Sequence, residues 1–335
     1  MIRVSAISII MSTARDDYPL LGLPKTHIFE PLVSSLNRQS FKDFELVIVD
    51  SLYEDRDVAP LDEATFQVKR VPPKQSPWLD AGMFHSANNF NTGLIHVEGE
   101  LIVKIDDCME LEREDHLKTV WGWYNRGFIP LQTYKYYFKG KPAVYSETII
   151  DEMLVLGNFT EDDERFIRLG WSGEVYTVGE AATDTRLKHF NIEHKTVSHE
   201  WYYGVSSTPL KDALDVNGYD ESMDGCRGGL DVDFGSRLEM KGCNPFILDR
   251  SLMLIEHLND SLSPKVIKRQ VNFLDKHSIY LLNRDKNRYR ANEQGFSKED
   301  LEFIKSNSET FDPHWFDFWA KNQRTFSLKE GRFEA

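Results

Sequence analysis

Two short apolar runs, each ending in aspartate, constrain this chain most. Phe44 to Val49 runs into Asp50, and Leu101 to Ile105 runs into Asp106-Asp107. Runs this short and this apolar predict strands buried on both faces, as in a parallel sheet. Val4 to Met11 predicts a first strand of the same kind, and Phe66 to Val71, closed by Pro72-Pro73, a weaker third. Helix signals lie between them. Ile28, Leu32 and Leu36 recur at four-residue spacing, with Pro31 tolerable in the first turn, and residues 83–97 form a second helix closed by Gly99. Such alternation implies right-handed crossovers and an α/β fold. In open sheets of this class, ligands bind beyond the carboxyl ends of the strands, where these aspartates stand.

The alternation fades after about residue 115. Short aromatic and β-branched stretches between 129 and 190 predict an antiparallel excursion. Ser297 with Asp300 predicts a capped helix near 298–306. Phe311, Trp315, Phe316, Phe318 and Trp319 predict a tail packed against the body.

Composition narrows the function classes. Forty Lys and Arg against 54 Asp and Glu leave a net charge of −14, which argues against a fold-wide basic surface for nucleic acid. Three cysteines, Cys108, Cys226 and Cys243, are too few for a disulfide framework and favour a reducing compartment. No apolar run approaches the ~20 residues needed to span a bilayer, and the first eleven residues read as a strand, not a signal peptide. The expectation is a soluble, cytoplasmic protein with no transmembrane segment. There is no Gly-rich dinucleotide fingerprint, phosphate loop or paired-cysteine motif. His199-Glu200 lacks a second histidine at metalloprotease spacing, and the sequon Asn158-Phe159-Thr160 carries little in a cytoplasmic chain.

Three segments, in order, carry a family resemblance. The first is Ile9-Ile10-Met11-Ser12-Thr13, with Gln39-Ser40-Phe41-Lys42-Asp43-Phe44-Glu45 leading to Asp50. The second runs Asn91-Thr92-Gly93 to Gly99-Glu100-Leu101-Ile102, then Ile105-Asp106-Asp107-Cys108. The third is Asn217-Gly218-Tyr219-Asp220-Glu221, then Asp231-Val232-Asp233 and Arg237-Leu238. Together they resemble the family-two glycosyltransferases of the GT-A fold. The resemblance covers residues 3 to about 257. It implies a Rossmann-like, mostly parallel sheet flanked by helices, with a smaller antiparallel excursion and a C-terminal helical extension. The division it implies is a transferase domain over 1–258, with a nucleotide-binding half (1–115) and an acceptor half (116–258), followed by an extension over 259–335.

The same resemblance implies a metal-dependent, inverting, non-processive transfer of a hexosyl or pentosyl group. The donor would be a nucleotide-diphosphate sugar and the cofactor Mn²⁺ or Mg²⁺. Thr13, Asp50 and Asp106 would contact the donor nucleotide. Asp107 would bridge the metal, with His257 as a further metal or diphosphate contact, and Asp231 would be the general base. The chain departs from the family pattern at Ser51, Cys108 and Leu230, where further acids are usual. A catalytically inactive sugar-nucleotide binder and a nucleotidyltransferase stand as the alternatives.

Several residues keep two readings at this stage. Asp233 competes with Asp231 as base, or contacts acceptor, or stabilises a helix start. Trp201 floors an acceptor pocket or fills the core. His257 is a ligand or a structural histidine. Residues 261–290 hold eight basic residues against two acidic ones, which read as a solvated face or as a loop closing on diphosphate or on an anionic acceptor. The acceptor itself stays open among saccharide, lipid-linked sugar, protein and modified nucleic acid, a DNA base included.

Overall fold

The computed structural model describes residues 5–16, 27–138, 141–145, 166–168, 175–178, 183–189, 191–225, 228–257, 263–268 and 273–334. Val4, Cys226, Arg269 and the Asn158 sequon lie outside the described residues.

Strand β1 (Ile7–Thr13) is the centre of the first sheet. It pairs in parallel with β2 (Phe44–Asp50) on one side and β4 (Leu101–Asp106) on the other. Beyond β2 lies β3 (Gln67–Val71), also parallel, and beyond β4 a short antiparallel edge, β11 (Ser207–Pro209). The order is therefore β11-β4-β1-β2-β3. Every residue of β2 is buried, including Glu45 and Asp50, as a strand covered on both faces requires.

The helices crossing over this sheet follow the sequence signals. Helix α1 (Glu30–Asn37) carries Pro31 in its first turn. The short α2 (Pro77–Asp80) precedes α3 (Ser86–His96). Gly99 does not cap α3, which ends at His96. A Cβ at Gly99 would stand 2.5 Å from the Ser8 nitrogen, so this glycine is needed where the chain passes against β1.

A second sheet forms the other half of the body. Strand β12 (Phe246–His257) runs parallel to β6 (Ile129–Phe138) and antiparallel to β5 (Met109–Leu111) and β10 (His194–Val197). From β6 the sheet continues antiparallel through β7 (Lys141–Tyr145), β9 (Val175–Val178) and β8 (Phe166–Arg168), the expected excursion. Helices α4 (His116–Asn125), α5 (Leu210–Asp215) and α6 (Leu230–Lys241) complete this half.

The C-terminal segment adds α7 (Lys276–Asp285), α8 (Lys298–Ser306), α9 (Pro313–Lys321) and α10 (Leu328–Glu334). Ser297 and Asp300 form the expected reciprocal capping box on α8. Phe273, Ile279, Trp319 and Leu328 belong to one apolar cluster with Ile10, Phe90 and Phe234. The Trp319 indole donates 2.6 Å to the Ser222 carbonyl. The C-terminal segment thus packs on the sheet-bearing body through a shared core.

His116, at the start of α4, is buried with both ring nitrogens unpartnered. Burial pushes its pKa from 6.5 down to about 4, against the pull of Asp115 and Asp249. A depressed histidine stabilises the fold fully above the unfolded pKa and loses that contribution as pH falls towards the folded one. The contribution at stake is up to ~3 kcal/mol. His116→Leu is therefore expected to flatten the fall in urea-unfolding free energy between pH 6.5 and 4. An unchanged slope would reject the assignment.

Candidate active site

The parallel register brings the carboxyl ends of β1, β2 and β4 level, with Thr13 opposite Asp50 and Ser12 opposite Asp106. A cavity of about 310 Å³ opens there. Its wall takes Thr13 and Arg15 from the end of β1, Lys104, Asp106 and Asp107 from β4 and the turn after it, Asp231 from the start of α6, and Glu256 from β12.

Two linked clusters form this wall. In the first, Asp107 is buried and both its oxygens are engaged. Thr13 Oγ1 donates 2.7 Å to Oδ2, and Arg15 Nε pairs with Oδ1 at 3.0 Å. Burial raises the Asp107 pKa, and the Arg15 charge and Thr13 hydroxyl oppose it. Glu256 stands nearby, pushed up to about 8 by burial and then by the Asp106 charge.

In the second cluster a buried lysine joins two carboxylates. Lys104 Nζ lies 3.5 Å from Asp106 Oδ1 and 3.6 Å from Asp231 Oδ1, and donates 2.9 Å to the Gly204 carbonyl. Burial pulls the Lys104 pKa down, but the Asp231 and Asp106 charges more than offset it, so the ammonium persists. Tyr219 Oη donates 2.5 Å to Asp231 Oδ1. Burial, followed by the Asp231 charge, holds the Tyr219 hydroxyl well above its ordinary pKa, so it stays a donor. Gly204 closes in between: a Cβ there would meet Lys104 Nζ at 3.2 Å and Asp106 Oδ2 at 3.4 Å. Asp106 and Asp231 remain 47% and 31% exposed, so both face the cavity with room for a ligand.

The structure separates the candidates that adjacent sequence positions left open. Asp231 is in the cavity wall, whereas Asp233 is buried on the other side of α6. There Asp233 accepts from Arg237 Nε at 2.8 Å and from Asn283 Nδ2 at 3.0 Å. Side chains alternate along a strand, so only one of Glu256 and His257 faces the cavity. It is Glu256. The His257 ring is buried beside Glu110 (3.4 Å) and Tyr137. Asp50 is fully buried and outside the wall, held by Arg56 (2.9 Å), Arg70 (2.8 Å) and the Leu52 nitrogen (2.9 Å). Its reach towards the cavity is indirect: Arg56 also holds the Arg15 carbonyl at 2.5 Å. Trp201 is half-buried outside the wall, against the His189 ring and 5.6 Å from Lys195 Nζ. Cys108 is a buried thiol raised well above its ordinary pKa by burial, and so inert.

Residues beyond the motifs also line the cavity. His85 and Asn89, at the start of α3, converge on Ser51, with His85 Nε2 at 3.1 Å from Ser51 Oγ and Asn89 Nδ2 at 3.3 Å. Asn89 Oδ1 is buried without a hydrogen-bond partner. Lys104 did carry a legible signal. A lysine inside the run Leu101-Ile102-Val103-Lys104-Ile105 must be paired if that run is a buried strand.

Five of the eight basic residues between 261 and 290 are engaged. Lys286 and Arg288 both pair with Asp300, Arg290 with Glu293, and Arg284 with Asp285. Buried Lys276 donates 2.8 Å to the Asp224 carbonyl. These five side chains are therefore not free to close on a diphosphate.

No protein-family model and no curated protein sequence matches the chain. Solved structures are similar in architecture at low identity. The mannosyltransferase PcManGT of Pyrobaculum calidifontis, solved with GDP-Man and Mn²⁺, is 13% identical over 77% of this chain, with a TM-score of 0.42. The chain spans 58% of that protein's length. S. aureus TarS 1-349, solved with UDP-GlcNAc, is 12% identical over 94% of this chain and 70% of its own, with a TM-score of 0.48. The fold is α/β: a mostly parallel, helix-flanked sheet with acids at its strand ends. Among the described residues, no helix is long and apolar enough to cross a membrane.

Proposed function

We propose that the chain transfers a sugar from a nucleotide-diphosphate donor to an acceptor hydroxyl, with inversion at the anomeric carbon. The observation that carries this reading is the cavity wall in which Lys104 Nζ stands 3.5 Å from Asp106 and 3.6 Å from Asp231. Asp231 takes the proton of the acceptor hydroxyl. As that oxygen bonds to the anomeric carbon, the bond from carbon to the diphosphate oxygen breaks, and the nucleoside diphosphate leaves. Tyr219, donating to one Asp231 oxygen, fixes the carboxylate and leaves the other oxygen to receive the proton. The Lys104 ammonium stabilises negative charge that builds on the leaving group. His85 and Asn89, which line this cavity, offer hydrogen-bonding groups to the nucleoside.

The donor set also suits a hard divalent cation. Asp106, Asp107 and Glu256 line one cavity, although Thr13 and Arg15 hold both Asp107 oxygens and no metal-holding group of three occurs preformed among the described residues. Asp106 and Asp107 would hold such an ion, which supplies charge neutralisation of the departing diphosphate. Asp107→Asn is then expected to raise the Mn²⁺ concentration for half-maximal activity at least tenfold. Activity undiminished by chelator would remove the metal from the reading.

The overall test is a panel of nucleotide sugars and acceptors, with products read by mass spectrometry. If no donor is bound and none releases its nucleoside diphosphate, the proposal fails.

A further inference from the structure

A second cavity, of about 690 Å³, lies between the start of α6 and the C-terminal helix α7. Gly228 lines both cavities, and a Cβ there would meet nothing within 4 Å. The walls combine rings and acids. Tyr280 and His277 face the space with ring centroids 5.5 Å apart and planes inclined by 34°. The Tyr280 hydroxyl is pinned 3.1 Å from His199 Nε2, whose Nδ1 is 2.6 Å from Glu239, so this ring is held in place. Glu200 and Glu309 are exposed at the rim.

The charge of this cavity selects among ligand classes. Glu200, Asp275 and Glu309 outnumber Lys276 and Arg284. Both cations are engaged, Lys276 on backbone carbonyls and Arg284 on Asp285. A polyanion such as a nucleic-acid strand would meet uncompensated carboxylates. A neutral polyhydroxylated ring instead matches the wall, its C–H face on Tyr280 and His277 and its hydroxyls donating to carboxylates.

We infer that this cavity is the acceptor subsite and that its ligand is a neutral saccharide, gripped by Tyr280 and His277 of α7. The inference rests on the sugar-transfer reading of the first cavity and gives the C-terminal segment a role in choosing the acceptor. The saccharide's terminal hydroxyl would pass over Gly228 to reach Asp231.

The test is ligand-observed NMR on the full chain, using neutral trisaccharides with gluco, galacto, manno and N-acetylglucosamino rings, and a hexathymidylate as the polyanionic arm. At least one trisaccharide is expected to bind, and His277→Ala and Tyr280→Ala should each weaken it about tenfold. His277 is exposed, so its variant is expected to fold even if Tyr280→Ala does not. UDP and GDP binding, titrated separately, should be unchanged in both variants. The inference is overturned if no trisaccharide binds, if both variants bind it as the parent does, or if hexathymidylate binds and the variants abolish that instead. Nucleotide binding without saccharide binding sinks this subsite alone. Saccharide binding without nucleotide binding keeps the subsite and sinks the donor reading.

Discussion

Asp231→Asn is expected to lower turnover by about 10²–10⁴-fold while leaving donor affinity near that of the parent. The amide preserves the shape of the side chain but takes no proton at neutral pH. By the tenfold-per-1.36 kcal/mol rule, the loss is about 3–5 kcal/mol of transition-state stabilisation. Donor binding is spared because the substitution removes an interaction made with the acceptor. Asp233→Asn is the matched control. Asp233 lies two residues away on the same helix, but its carboxylate is buried against Arg237 and Asn283. Its loss should therefore appear in stability far more than in turnover per folded molecule. The comparison needs turnover normalised to folded protein, and NMR of the product's anomeric proton. A larger turnover loss in Asp233→Asn would reassign the base. A product with the donor's anomeric configuration would exclude the single displacement.

The sequence exposed the frame of this site more readily than its inner surface. Apolar runs ending in acid located β2 and β4, and parallel pairing then placed Asp106 at the cavity, with Asp107 buried in the turn after it. What periodicity leaves open is direction. Glu256 and His257 are adjacent in one strand, and only the pairing of β12 with β5 and β6 settles which of them faces the cavity. Asp231 and Asp233 are two helical positions apart, roughly 200° around the axis at 3.6 residues per turn, so one cavity cannot hold both. Long-range partners were hidden for a different reason. Nothing near Asp50 in sequence says that Arg70 will satisfy it, or that Tyr219 will reach Asp231. Likewise, the basic run between 261 and 290 looks cationic until Asp300 and Glu293 fold back onto it.

The largest stability effect is expected at Arg237. Its side chain is fully buried, with Nε on Asp233 at 2.8 Å and Nη1 on the Gly218 and Val216 carbonyls at 2.7 and 3.1 Å. Asn283 then bridges Asp233 to Asp220, at 3.0 and 3.1 Å. Arg237 is therefore the cation that lets two carboxylates share one interior. Burial raises the Asp233 pKa, Arg237 opposes that, and the Asp220 charge adds to it. Arg237→Met fills much of the volume but leaves the acids and two carbonyls uncompensated, at an expected cost of about 3–5 kcal/mol. Urea denaturation should show the midpoint fall with little change in slope. Adding Asp233→Leu should recover much of the loss, because a buried pair replaced as a whole costs far less than a pair broken in half. A loss below ~1 kcal/mol in the single variant would mean that water reaches Asp233 and that the network is not sealed. The consequence extends to chemistry, since the carbonyls Arg237 holds belong to the turn that presents Tyr219. When that turn loosens, the hydroxyl on Asp231 loses its fixed position, so the folded fraction of Arg237→Met should also turn over more slowly than the parent.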